Sequence, residues 1–251
     1  MSFMSKVPEV TLWFWIIKVL STTVGETGAD LLAGRLHLGL ALTSAVMTGL
    51  FVAVLAIQLG ARRYIPWLYW LTVVLISVVG TLLSDNLVDG MHVSLITTSL
   101  AFGIGMAGVF ALWFMQEKTL SIRSINTRRR EGFYWAAILL TFAMGTSLGD
   151  LIAETLHLGY ADAVLLFAII VGIVALVHFG TKLGGVTTFW LAYILTRPLG
   201  ASIGDFLAKP LTHGGLGLGT IATSLIFASV IAMVVIFISV TRIDRLDGSR
   251  G

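Results

Sequence analysis

The sequence predicts an all-α polytopic membrane protein in which eight transmembrane helices form four parallel, pseudo-symmetric helical hairpins. Three observations predict it. Of 251 residues, 57% are hydrophobic and only 12% charged, against roughly 25% charged in an ordinary soluble domain, so the bilayer is the solvent that suits this chain. Eight apolar runs reach about twenty residues, the length a helix rising about 1.5 Å per residue needs to cross about 30 Å of hydrocarbon. One tryptophan-to-aspartate pattern also recurs in every second run.

In chain order the spans are expected over residues 11–33, 38–59, 65–87, 93–115, 133–153, 161–180, 186–208 and 217–240. The first is too long, and too interrupted by Lys18, Glu26 and Asp30, for the apolar centre of a cleaved signal peptide, so it reads as a retained span. The even-numbered runs are plainer. The seventh contains Arg197 followed by Pro198, where a kink is expected. A basic loop over 116–132 joins the two halves of what reads as a single membrane domain, 1–251. The chain has no cysteine, which excludes disulfides, thiolate metal sites and cysteine nucleophiles.

The net charge of +3 says less than where the basic residues fall. If the eight spans alternate, Lys6, Arg62, Arg63, Lys118, Arg123, Arg128, Arg129, Arg130, Lys182, Arg242, Arg245 and Arg250 share one side, and only Arg35 and Lys209 lie on the other. By the positive-inside rule both termini are then cytoplasmic. The run "RSINTRRREG" lacks interleaved aromatics and is explained by this topology, so no nucleic-acid partner is expected.

Aligned on tryptophan, the chain reads "WIIKVLSTTVGETGADLLAGRLH", "WLTVVLISVVGTLLSDNLVDGMH", "WAAILLTFAMGTSLGDLIAETLH" and "WLAYILTRPLGASIGDFLAKPLTH". Trp15, Trp70, Trp135 and Trp190 each stand fifteen residues before an aspartate, namely Asp30, Asp85, Asp150 and Asp205. The tryptophans are spaced by 55, 65 and 55 residues, so the halves superpose with an offset of 120. Repeats therefore cover about 9–62, 63–116, 131–182 and 186–241. Each contains two spans, so every copy enters the membrane in one orientation, related by an axis along the membrane normal.

This pattern resembles a bacterial family of uncharacterised membrane-anchored proteins, domain of unknown function 347, described as four tandem two-span repeats with a characteristic tryptophan. Trp15, Trp70, Trp135 and Trp190 match that tryptophan. The resemblance implies the architecture over essentially the whole chain and brings no substrate.

Helix geometry places each aspartate about 22 Å from its tryptophan, in the outer half of the membrane if the tryptophans mark the cytoplasmic interface. A charged carboxylate there is costly, so the four must face one another, water or partners. The residues four, eight and twelve before each aspartate share its face. These are Glu26, Thr22 and Lys18 in the first repeat; Thr81, Ser77 and Val73 in the second; Thr146, Phe142 and Ile138 in the third; and Ala201, Arg197 and Tyr193 in the fourth. They read as the wall of a polar path whose fourfold likeness has been broken. Gly25/Ala29, Gly80/Ser84, Gly145/Gly149 and Gly200/Gly204 supply the small-residue spacing at which helix backbones approach. Thr43–Ser44, Thr98–Ser99 and Thr223–Ser224 recur early in the second helices, where the third repeat has Ala163–Val164.

Asp30, Asp85, Asp150, Asp205 and Glu26 are thus the candidate ion-binding residues, as opposed to hydrogen-bonded structural acids. Lys18 and Arg197, the basic residues well inside the spans, are expected to pair with Glu26 or an aspartate, or to act as internal counter-ions coupled to transport. His37, His92, His157 and His213 recur in the outer turns, either as tolerated polar residues or for metal capture. His178 is expected at the inner interface, and the tryptophans in an interfacial aromatic belt.

The leading expectation is a transporter of a small cation in the bacterial inner membrane, a proton-coupled carrier, with carboxylate and hydroxyl oxygens suited to hard ions. A channel, or a non-transporting scaffold or regulatory subunit with structural aspartates, is the alternative. No enzyme is expected, since phosphate-binding, zincin and nucleophile-elbow motifs are absent. No cofactor is expected beyond a bound cation.

Overall fold

The computed structural model describes residues 6–36, 38–181 and 184–244, with Arg35 described by its backbone alone. Eight long helices form where the apolar runs predict them: α1 (Leu12–Asp30), α2 (Gly39–Gly60), α3 (Pro66–Asp85), α4 (Leu95–Glu117), α5 (Arg128–Asp150), α6 (Tyr160–Gly180), α7 (Gly185–Ala208) and α8 (Thr220–Thr241). No strand occurs among the described residues. Local chemistry sets several starts. The side chains of Thr11, Ser94 and Thr127 accept from the free amides of Phe14, Thr97 and Arg130, and Pro66 opens α3 where its missing N–H costs nothing. Helix α7 continues through Pro198.

Beyond Asp30, Asp85 and Asp150 each helix widens into one π-helical turn, over Leu31–Arg35, Asn86–Gly90 and Leu151–Thr155. The fourth repeat differs because Pro210 cannot continue the helix, and a 3₁₀ turn, Leu211–His213, follows instead. This change explains the one-residue shift of the last histidine. His92 and His157 themselves take the left-handed conformation that ends the turn, at φ +56° and +57°, whereas in the fourth repeat Gly214 takes it.

The four first helices form a closed ring: α1 packs on α3, α3 on α5, α5 on α7, and α7 on α1. Glycines make the approach possible. Gly25 faces Ser77, Gly80 faces Phe142, Gly145 faces Arg197 and Gly200 faces Thr22, and a Cβ at any of the four would collide with its neighbour. The same two repeat positions meet at every seam, so the repeats run parallel about one axis.

The second helices form an outer layer, with a swap that hydropathy does not reveal. Each packs mainly on the first helix of the following repeat: α2 on α3, α4 on α5, α6 on α7, and α8 back on α1. Thr43, Thr98, Ala163 and Thr223 are buried in these seams, and Ser224 donates to Thr27 across the last. The layers are inverted relative to a water-soluble protein. Leu100, Ile104, Leu176 and Val240 lie fully outside, while threonines, serines, Lys18, Glu26 and Arg197 are buried at the centre.

Among the described residues six helices are long and apolar enough to cross a membrane. The two that fall short, α1 and α7, are those whose apolar character is broken by Lys18, Glu26 and Asp30 and by Arg197 and Asp205. Both lie in the inner ring, where polar residues need no contact with lipid. Apolar outside, polar inside and helical throughout, the chain is a multi-pass membrane protein.

Candidate functional site

An aromatic ring closes one end of the bundle. Each first helix carries an aromatic residue directly before its tryptophan, and that residue touches the tryptophan of the next repeat. Phe14 meets Trp70 with ring centroids 5.6 Å apart, Tyr69 meets Trp135 at 5.6 Å, Tyr134 meets Trp190 at 6.2 Å and Phe189 meets Trp15 at 5.7 Å. The Tyr69 and Tyr134 hydroxyls hydrogen-bond to each other, and Trp190 donates to the Leu120 carbonyl. Trp70, Trp135 and Trp190 are at most 5% exposed. The expected interfacial belt is therefore corrected: only Trp15 is half-buried, and the tryptophans seal the axis. The sequence signal was the Phe-Trp or Tyr-Trp pair in all four repeats.

Past this ring, toward the aspartates, the twelve residues of the shared face are all buried, none more than 5% exposed. Lys18 lies nearest the aromatics. Its ammonium donates to the Tyr193 carbonyl at 2.8 Å and to Thr196 Oγ1 at 2.5 Å, and sits 4.7 Å from the Tyr193 ring and 5.5 Å from that of Phe142. No carboxylate among the described residues lies within ion-pair distance of it. The expected pairing of Lys18 with an acid is thus corrected, because carbonyl, hydroxyl and aromatic faces surround it instead.

Arg197 fills the next layer. Its Nε donates to the Phe142 carbonyl and its Nη1 to that of Thr22, both at 3.2 Å. Its Nη2 reaches Glu26 Oε2 at 3.2 Å and the hydroxyls of Thr81 and Thr146 at 2.6 Å each. Those three residues hold the same position in three repeats, four before the aspartate, and Ala201 holds it in the fourth. One guanidinium therefore gathers the equivalent polar groups of three repeats from the fourth. Arg197 pairs with Glu26 as expected, and the pair is buried.

The aspartates lie at the far end of the column and are not equivalent. Asp205 is buried, while Asp30, Asp85 and Asp150 are half-buried. Glu26 is within electrostatic reach of Asp85, Asp150 and Asp205. Asp30 and Asp205 are joined through Lys209, whose Nζ is 3.5 Å from the first and 3.7 Å from the second. Burial opposes the Lys209 charge, but the Asp205 and Asp30 carboxylates outweigh it and hold the ammonium above the usual lysine range. Asp85 and Asp150 have no ion-pair partner among the described residues. Sequence reasoning counted Lys209 only for topology; its position four residues after Asp205 was the available signal.

His92, His157 and His213 are exposed, and His37 lies outside the described residues. His178 is also exposed and hydrogen-bonds Thr188. Among the described residues no three histidines or acids come together to hold a metal ion.

A family model described as Repeat of Unknown Function (DUF347) matches residues 13–64, 68–119, 133–183 and 188–244. No curated protein and no solved structure matches the chain. The four matches fall on the four helix pairs that build the ring, and the chain belongs to this family of tandem DUF347 repeats.

Proposed function

We propose that the protein is a cation transporter of the bacterial inner membrane, a proton-coupled carrier whose eight helices all span the bilayer with both termini in the cytoplasm. The observation that carries this reading is the occupancy of Glu26. It replaces the threonine of two other repeats on the axis, and a cation from within the protein, the Arg197 guanidinium, occupies it. A mobile cation that bound Glu26 would have to displace that guanidinium, so the central charge would be exchanged and not simply added. The half-open carboxylate end offers the first contact for the ion, with Asp30, Asp85, Asp150 and Asp205 at the entrance. The aromatic ring closes the cytoplasmic end, and side chains fill the axis. Such a column suits a carrier better than an open channel.

A non-transporting scaffold is the second reading. The observation favouring it is that Arg197 already has five oxygen partners, enough to lock four repeats together without any ion. Flux separates the two. Purified protein in liposomes containing ion- and pH-sensitive dyes is expected to move a cation against protons, whereas a scaffold moves neither.

A further inference from the structure

Among the described residues two basic side chains and one carboxylate lie buried between the aromatic end and the aspartates: Lys18, Arg197 and Glu26. Arg197 holds Glu26, so the charge of Lys18 is left without a counter-ion. Lys18 stands twelve residues before Asp30, where the other repeats have Val73, Ile138 and Tyr193, and only the first repeat puts an amine there. The oxygens of its seat come from the fourth repeat, across the closing seam: the Tyr193 carbonyl and the Thr196 hydroxyl, with the ring faces of Tyr193 and Phe142 completing it. A seat of uncharged groups fits both states of an amine. The carbonyl accepts an N–H from either. The hydroxyl accepts from the ammonium and donates to the Ala192 carbonyl at 2.8 Å, and it can turn to donate to the lone pair of a neutral amine.

The same elements tie this amine to Glu26. Thr196 precedes Arg197 in the chain, and the Arg197 guanidinium and the Lys18 ammonium lie 5.6 Å and 5.5 Å from the centre of one ring, that of Phe142. Of the helices packed on α1, α8 carries no titratable residue, α3 carries Tyr69 and Asp85 at its two ends, and α7 carries Tyr193, Arg197 and Asp205; α1 itself adds Glu26 and Asp30. A guanidinium driven off Glu26 keeps its charge, because arginine does not lose its proton. The neighbouring charge that can be given up is that of Lys18.

We propose that Lys18 carries the proton exchanged for the ion that reaches Glu26. The ion displaces Arg197 from its carboxylate. One N–H bond of the Lys18 ammonium then breaks, the electron pair stays on nitrogen, and the proton leaves to water at the carboxylate end, the way the ion came in. For a singly charged ion the net charge of the buried groups is the same before and after, so the exchange is one for one. This deepens the carrier reading and rests on it.

Proton release on ion binding tests the assignment. The purified full chain, in weakly buffered detergent with a pH-indicator dye, is titrated with K⁺, Na⁺ and Mg²⁺ in turn, and the melting temperature of each variant is recorded. Wild type releases protons with the ion it binds. Lys18→Met binds the same ion but releases about one proton fewer, and its affinity varies less with pH. Lys18→Arg fills the seat with a charge that cannot be given up and weakens the ion by at least about tenfold. Thr196→Val leaves Lys18 in place, removes an oxygen that holds the ammonium, and tightens the ion. Unchanged proton release or lost ion binding in a folded Lys18→Met, wild-type affinity in Lys18→Arg, or unchanged affinity in Thr196→Val would overturn the role of Lys18 while leaving the carrier reading in place. A wild type that binds none of the three ions would overturn both.

Discussion

Arg197 of the fourth repeat and Glu26 of the first form an ion pair at 3.2 Å, with Arg197 completely buried. The pair spans the seam at which the ring of repeats closes, and Thr81 and Thr146 bring the other two repeats to the same guanidinium. Removing one partner leaves a buried charge uncompensated, which costs about 3–5 kcal/mol in known buried pairs. Glu26→Gln and Arg197→Met are each expected to lower the melting temperature in detergent sharply. The double variant should recover most of the loss. Additive losses in the double variant would mean that the two residues do not act as a pair.

The glycine seams make a second, purely steric prediction. Gly145→Ala drives a Cβ into the Arg197 side chain and Pro198, while at Gly149 the nearest atoms are 3.6 Å away, an ordinary contact. Overpacking of a close seam costs about 1–3 kcal/mol. Gly145→Ala should therefore destabilise the protein, whereas Gly149→Ala should leave thermal stability unchanged or slightly raised. The two substitutions lie one turn apart on one helix, which isolates the seam from helix propensity.

Much of this column was legible in the sequence because helical periodicity is insensitive to tertiary detail. Stepping back by four from each aspartate named twelve residues, and all twelve are buried inside the bundle. Choice of partner was not legible. Lys18 and Arg197 lie on that same face, yet only Arg197 meets Glu26, because the seam geometry brings Arg197 across to the first repeat at the Glu26 level. The swap of α2 onto α3 was equally hidden, since an apolar helix has the same hydropathy whichever neighbour it covers. The tryptophans misled for a related reason: their depth suits an interfacial belt, but their rotation about the helix turns them inward.

Alkaline pH should destabilise the folded protein through Lys209 and Tyr64, which lie outside the helices. Burial, and then the hydrogen bond to Asp244, holds the Tyr64 hydroxyl well above the usual tyrosine range. Lys209 is raised as well, by its two carboxylates against the opposing effect of burial. Both groups hold their protons more tightly folded than unfolded. Their stabilisation is fully present below about pH 10, the unfolded range, and is lost as pH rises toward the folded values. Stability measured across that range should fall in wild type and fall less steeply in Tyr64→Phe and Lys209→Gln. A rise in stability with alkaline pH would contradict the proton assignment.

Topology is accessible because the chain has no cysteine of its own. Arg63 and Arg123 are exposed at the aromatic end, Asp89 and Leu211 at the carboxylate end. Single cysteines at Arg63 and Arg123 should react with a membrane-impermeant maleimide only after the cells are opened. Cysteines at Asp89 and Leu211 should react in intact spheroplasts. Labelling of Asp89 and Arg123 positions from the same side would exclude eight alternating spans.

The central claim is that the carboxylate column moves a cation against protons, and paired flux in one vesicle tests it most directly. Several acids crowded in a low dielectric cannot all stay ionised, so some hold protons until a cation displaces them. In liposomes loaded with a pH-sensitive dye, an inward gradient of the transported cation, found by trying K⁺, Na⁺ and Mg²⁺ in turn, is expected to drive protons outward through wild type. The exchange should slow as external pH falls. Asp150→Asn keeps the shape and hydrogen bonding of the side chain and removes its titration, so it should abolish the exchange in a protein of unchanged melting temperature. Unchanged exchange and unchanged pH dependence in Asp150→Asn, or no proton movement in wild type under any cation gradient, would contradict the account.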